Sequence, residues 1–125
     1  MRGKNRTVRA VTLEAKGLLT VKDYPYPELK ENCAIIKMEY SGICGTDKHS
    51  FEGFFEQKGG RPIPLPVIQG HENVGIIEEI KGELLDHDGN KLVVGDRVVP
   101  APNISCGNCF ACRNNRPYYY CECKL

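Results

Sequence analysis

The sequence is short of several things, and each shortage excludes something. No stretch approaches the roughly 20 apolar residues that cross a bilayer, so no membrane-spanning helix is expected. The N-terminus (Met1-Arg2-Gly3-Lys4-Asn5-Arg6) is basic, but no apolar run of signal-peptide length follows it. Charge of one sign is missing too. Seventeen Lys and Arg against sixteen Asp and Glu leave a net charge of +1, which argues against strong non-specific attraction to nucleic acid or anionic membrane. There is no tryptophan, there are only three histidines, and no internal repeat or low-complexity linker is present. No G-x-G-x-x-G occurs, so these 125 residues lack a dinucleotide-binding fingerprint.

What is abundant is turn formers and cysteine. Thirteen Gly and eight Pro exceed the average share of roughly 12%, which predicts frequent turns and no long helix. Seven cysteines are an odd number, so a disulfide framework cannot use them all. With no secretory signal, a reducing cytoplasmic compartment is expected, and clustered cysteines there bind metal or do chemistry more often than they cross-link.

Residues 7–13 alternate apolar and polar, the pattern of a half-buried strand. Gly17 reads as a turn and residues 18–23 as the returning strand of a hairpin. Tyr24-Pro25-Tyr26-Pro27 is not expected to pair regularly, because proline lacks an N–H. Residues 33–40 predict a third strand, with Cys33 in the core, and residues 45–51 a short helical turn. Residues 52–66 hold three glycines and three prolines and read as a long surface loop of the kind that often carries function. Residues 73–80 and 91–99 predict two more strands, the second bent at Gly95. Between them Asp86-His87-Asp88-Gly89-Asn90 reads as a hairpin turn. It resembles the start of an EF-hand loop but lacks the glycine, the closing glutamate and the flanking helices, and His87 is expected to be solvated. Short strands at close intervals predict a mainly β fold, a small barrel or sandwich.

Residues 101–125 differ. They hold five cysteines and few aliphatics. Cys106, Cys109 and Cys112 are spaced C-x2-C-x2-C, Cys121 follows after eight residues and Cys123 after ten. Four thiolates this close predict a closed, tetrahedral structural zinc site, whose Zn–S bonds of about 2.3 Å gather the sulfurs into one cluster. A lobe with so little core needs such a staple, because metal binding supplies folding free energy directly. A ferredoxin-type cluster is disfavoured by the absence of a fourth Cys after three residues and a following Pro. Cys121 is the expected fourth ligand and Cys123 the alternative. Tyr118-Tyr119-Tyr120 are expected to pack against this lobe.

The segments Gly42-Ile43-Cys44-Gly45-Thr46-Asp47-Lys48-His49 and Gly70-His71-Glu72 carry a thiol, a hydroxyl, two carboxylates and two imidazoles. Spacing alone makes neither a metal site, since a catalytic zinc needs three protein ligands and an open position. Taken in order with Gly95-Asp96-Arg97-Val98 and the four-cysteine lobe, however, they resemble one family. The sequence is similar, from about Val8 to Cys121, to the N-terminal GroES-like catalytic domain of the medium-chain zinc-dependent alcohol dehydrogenases. The family usually leaves seven residues before the last structural cysteine, one fewer than here.

The resemblance implies a small GroES-like β-barrel over residues 1–125 with short helices and a zinc lobe at 101–125. It implies that Cys44 and His71 bind a catalytic zinc, with Glu72 beside them as an exchangeable ligand. Thr46 matches the hydroxyl that bonds the alcohol, His49 the imidazole that passes the proton to solvent, and Cys106, Cys109, Cys112 and Cys121 the structural-zinc ligands. The implied reaction oxidises a primary or secondary alcohol or polyol through an alkoxide on zinc, with hydride passed to NAD or NADP. The Rossmann domain that binds the nicotinamide, and with it the third catalytic ligand, is expected outside these residues. The expectation is therefore a fragment of a cytoplasmic, homo-oligomeric dehydrogenase, itself inactive, whose partners are a small alcohol and its own nucleotide-binding domain, not nucleic acid or membrane. The rival is a stand-alone zinc-binding GroES-like module without activity.

Overall fold

β-Branched side chains favour extended backbone, and Thr, Val and Leu fill the first strand. The computed structural model of the protein describes residues 6–54, 59, 63–103, 105–114 and 120–121. In it β1 (Thr7–Ala15) pairs antiparallel with β2 (Leu18–Pro25), and the Gly17 N–H at the turn donates to Phe51 O at 2.9 Å. The β2 strand runs through Tyr24 and Pro25, which were expected to stay unpaired; they lie opposite Val8 and Thr7. The reason is that β2 is the edge of its sheet, of order β2-β1-β4 with β4 (Val67–Ile68). Alternate N–H groups on an edge face outward, where a proline costs no ladder bond. The next N–H, that of Tyr26, resumes pairing with Arg6 O at 2.9 Å.

The second sheet has the order β3-β5-β6, from β3 (Cys33–Gly42), β5 (Glu72–Lys81) and β6 (Arg97–Val98). Two register shifts in the β3–β5 ladder, at Ile35/Ile36 and Met38/Tyr40, bend the pair. Gly75 sits opposite Met38 at the second, and a Cβ there would lie 2.5 Å from Lys37 O. Cys33, expected in the core, is exposed at the start of β3, opposite Lys81. Arg97 Nε and Nη2 reach across this sheet to Glu39 at 2.8 and 3.2 Å.

The strand expected at 91–99 shrinks to Arg97–Val98. Residues 92–96 instead make a turn, because the Asp96 carboxylate accepts from Val93 N–H at 2.8 Å and Gly95 takes φ +100°, a conformation open mainly to glycine. The turn is fastened to β5 by Gly95 N–H to Ile77 O and Ile77 N–H to Asp96 O, both 2.9 Å. Lys91 retains only an isolated bridge to Leu85. The Asp86–Asn90 segment is a turn as expected. Asp86 accepts from the N–H groups of Asp88 and Asn90, and the His87 side chain is fully exposed.

Two helices complete the described residues, α1 (Gly45–Phe51), as expected, and α2 (Phe110–Arg113). None is long and apolar enough to cross a membrane. The buried set is small. Leu13 and Ile77 are its large apolar members, and Thr12 joins them with its hydroxyl 2.6 Å from Tyr24 OH. A groove of about 660 Å³ opens between the sheets and α1, walled by Val11, Leu19, Met38, Phe51 and Ile68. The sheets are tied at another edge. Tyr26 OH donates to Glu78 at 2.9 Å while Arg6 lies over the Tyr26 ring and pairs with Glu78 and Glu79. Of the 52–66 loop, residues 55–58 and 60–62 lie outside the described residues.

Candidate metal centres

The first centre forms where β3 hands the chain to α1. Cys44 is the N-cap of α1, and its N–H donates to Asp47 Oδ2 at 2.8 Å, satisfying a donor that a helix start would otherwise leave open. That bond fixes Cys44 at the mouth of the helix. His71 and Glu72 arrive from the other side, at the start of β5, where Glu72 pairs with Gly42. A Cβ on Gly42 would lie 2.5 Å from Glu72 Oε2 and 3.0 Å from Glu72 Cβ, so a larger residue there would displace the Glu72 carboxylate. Gly70, at φ +110°, turns the chain just before His71.

The result brings three of the expected residues together. Ligand atoms of Cys44, His71 and Glu72 all lie within 4.8 Å of one another, Cys44 and His71 half-buried and Glu72 exposed. Thiol, imidazole and carboxylate are all zinc donors. Thr46 Oγ1 is 3.8 Å from Cys44 Sγ. His49 lies further along α1, half-buried, its ring stacked on Phe54 with centroids 4.5 Å apart. Residues three apart on a helix share a face, so Thr46 and His49 lie on one side of α1.

One residue of this centre goes unassigned by sequence reasoning. While its Oδ2 holds Cys44 N–H, Asp47 Oδ1 lies 3.8 Å from His71 Nδ1. One mostly buried carboxylate therefore faces both ligand-bearing segments, as the outer partners of metal ligands do. The signal available in sequence was the three-residue spacing from Cys44 to Asp47, that of a capping box.

The second centre is the cysteine lobe. Cys109 caps α2, Cys112 lies within it, and Cys106 and Cys121 flank it. The Cys109 N–H donates to Cys106 Sγ at 3.4 Å and the Cys106 N–H to Cys121 Sγ at 3.5 Å. Sulfur–sulfur separations are 3.5 Å for Cys109–Cys112 and 3.9 Å for Cys106–Cys112, and all four sulfurs fall within 4.8 Å. Zn–S bonds of 2.3 Å in a tetrahedron place sulfurs about 3.8 Å apart, so the set fits zinc. Its electrostatics agree. The Cys106 thiol is pulled down to about 6, first by the N–H groups of Asn108 and Cys109 aimed at its sulfur. Cys112 is pushed up to about 12, first by its bond with Cys109 and then by desolvation. Thiolates this close repel, so ionising all four calls for a cation among them. Cys121, the expected fourth ligand, is the fourth sulfur of this group. Cys123, Tyr118 and Tyr119 lie outside the described residues, and Tyr120, expected to pack on the lobe, is exposed.

Comparison with known proteins agrees with this geometry. The alcohol dehydrogenase GroES-like domain family matches residues 30–124. An L-threonine 3-dehydrogenase of Escherichia coli O139:H28 is 34% identical over 110 residues, 85% of this chain and 29% of its own length. The crystal structure of an alcohol dehydrogenase from Thermotoga maritima superposes with a TM-score of 0.80 at 30% identity, covering 96% of this chain and 32% of that one. A short chain alcohol dehydrogenase from E. coli CFT073, solved in complex with NADH, gives a TM-score of 0.70 at 26% identity, over 90% of this chain and 30% of that one. The chain thus spans about a third of the length of the proteins it matches.

Proposed function

The chain belongs to the alcohol dehydrogenase GroES-like domain family, and on that premise we propose that it is the catalytic portion of a zinc-dependent, nicotinamide-linked alcohol dehydrogenase. The observation that carries the reading is the convergence of Cys44, His71 and Glu72, from segments far apart in sequence, on one point beside Thr46. The lobe cysteines fit a second zinc with a structural role.

In this reading Cys44 and His71 hold the catalytic zinc and Glu72 stands beside them as a further ligand. When bound, zinc supplies Lewis acidity, which lowers the pKa of an oxygen on it as it lowers that of water from 15.7 to about 7. The chain's own residues do the rest. Thr46 Oγ1 accepts a hydrogen bond from the substrate hydroxyl and fixes its orientation. His49, on the same face of α1, receives the proton and releases it to solvent, imidazole being the side chain that titrates near neutrality. Asp47 holds the Cys44 loop and the His71 ring in mutual register. The hydride goes to a nicotinamide, NAD or NADP, bound by residues beyond these 125, as the NADH complex of the E. coli CFT073 relative suggests. The substrate is a small alcohol, and the L-threonine 3-dehydrogenases among the relatives keep amino alcohols within that class.

The test is nicotinamide reduction by the full-length enzyme with a panel of alcohols. Cys44→Ser is expected to abolish turnover and leave the far-UV spectrum unchanged. Full turnover by Cys44→Ser would refute the assignment and favour a zinc-stapled module without catalysis.

A further inference from the structure

The lobe's sulfurs lie close enough to react with one another as well as to hold a metal. Cys109 and Cys112 share a C-x-x-C segment, the N-cap and third residue of α2, and their sulfurs stand 3.5 Å apart, against 3.9 Å for Cys106 and Cys112. A disulfide bond is about 2.05 Å long, so this pair needs to close by only about 1.5 Å. Both residues are half-buried and can be reached from solvent, whereas Cys121 is 5% exposed. The lobe around them offers little resistance to that movement. Its helix is four residues long, and Ala111 and Cys121 are its buried apolar residues among those described. The cluster at Cys44 has no such pair, since it holds one thiol.

We propose that Cys109 and Cys112 form a reversible disulfide under peroxide, making the lobe a site of oxidative modification. The step balances. The Cys109 sulfur attacks hydrogen peroxide, the O–O bond breaks, and a sulfenic acid and one water form. The Cys112 sulfur then displaces the sulfenic hydroxyl as a second water, and the S–S bond closes. Two thiols are oxidised by two electrons and one peroxide is reduced. The disulfide withdraws two of four ligands, so zinc leaves and cannot rebind until a thiol reductant restores them. The inference concerns the lobe alone and stands apart from the reaction proposed at Cys44.

The experiment exposes the 125-residue chain, zinc-loaded and zinc-stripped, to equimolar hydrogen peroxide. Released zinc is read with a chromogenic chelator and the linkage by non-reducing peptide mass spectrometry. Cleavage at Arg97 and Arg113 leaves Cys106, Cys109 and Cys112 on one peptide, so position is assigned from fragment ions. The expected result is a peptide two hydrogens lighter with no backbone fragments between residues 109 and 112. Zinc loss should follow in step, and dithiothreitol should restore both. Cys121→Ser should still form the bond and Cys112→Ser should not. A linkage at Cys106 instead, sulfinic acid without cross-linking, or zinc retained with the thiols intact would each overturn the proposal. Zinc content of the reduced chain is a separate reading. A reduced lobe that binds none counts against the metal centre, while the linkage map in the stripped chain still decides the disulfide.

Discussion

The two ligand clusters are held in opposite ways. Cys44, His71 and Glu72 are mounted on a sheet and a helix whose own hydrogen bonds aim them: the β3–β5 ladder, the α1 cap and the Asp47 carboxylate. The lobe cysteines sit on turns and a four-residue helix, with few buried neighbours and with backbone N–H groups directed at the sulfurs themselves. In the first cluster the fold positions the ligands. In the second, on the proposed reading, the sulfurs position the fold once a metal joins them. Removing a ligand should therefore do different things at the two places.

The largest expected effect is at the lobe. Structural zinc in small domains contributes roughly 10–16 kcal/mol of apparent binding free energy, and the described residues of the lobe bury little besides Ala111 and Cys121. Cys109→Ser should cost a zinc ion and abolish amide-exchange protection over 105–114, with the two sheets still protected. Protection of the lobe unchanged by that substitution would erase the distinction. Next is Asp47→Ala. Loss of an outer partner typically weakens metal binding 10–100-fold, and loss of the cap costs about 1 kcal/mol. Metal titration should show that weakening at the Cys44 cluster and none at the lobe. If both sites weaken together, they are not held independently.

A smaller effect tests the sheets. Gly75→Ala puts a methyl against the Lys37 carbonyl and should destabilise the chain by about 1–3 kcal/mol in denaturant unfolding, with lobe zinc stoichiometry unchanged. Smallest is a pH effect. The bond from Arg97 holds the Glu39 carboxyl below its ordinary value. A depressed carboxyl stabilises the folded state above its unfolded pKa, and that contribution fades as pH falls through the folded one. Arg97→Gln should flatten this acid dependence of unfolding while leaving neutral-pH metal content alone.

Much of this was legible in the chain, for reasons that differ by element. Helix α1 announces itself by an acidic residue three places after its cap, and β1, β3 and β5 by alternation and β-branched content. The lobe is legible because zinc demands sulfurs at short spacings. The stretch 91–99 misleads because its Val-Val and Val-Val pairs read as strand, while one local bond from Asp96 to Val93 N–H wins the backbone for a turn. Tyr24 and Pro25 join β2 because that strand is an edge, a property of sheet order invisible in the local pattern. Cys33 reads as core by its place in a strand, but the strand's first residue lies outside the packed region. Asp47 escapes because its role depends on His71, which only the folded β5 brings near.

The most direct test of the two-centre account is zinc stoichiometry in the purified, reduced chain and in Cys44→Ser and Cys109→Ser. The account predicts two zinc ions in the parent and one in each variant, with the lobe ordered in Cys44→Ser and the sheets intact in both. A parent chain that binds a single zinc, unaffected by Cys44→Ser, would contradict it.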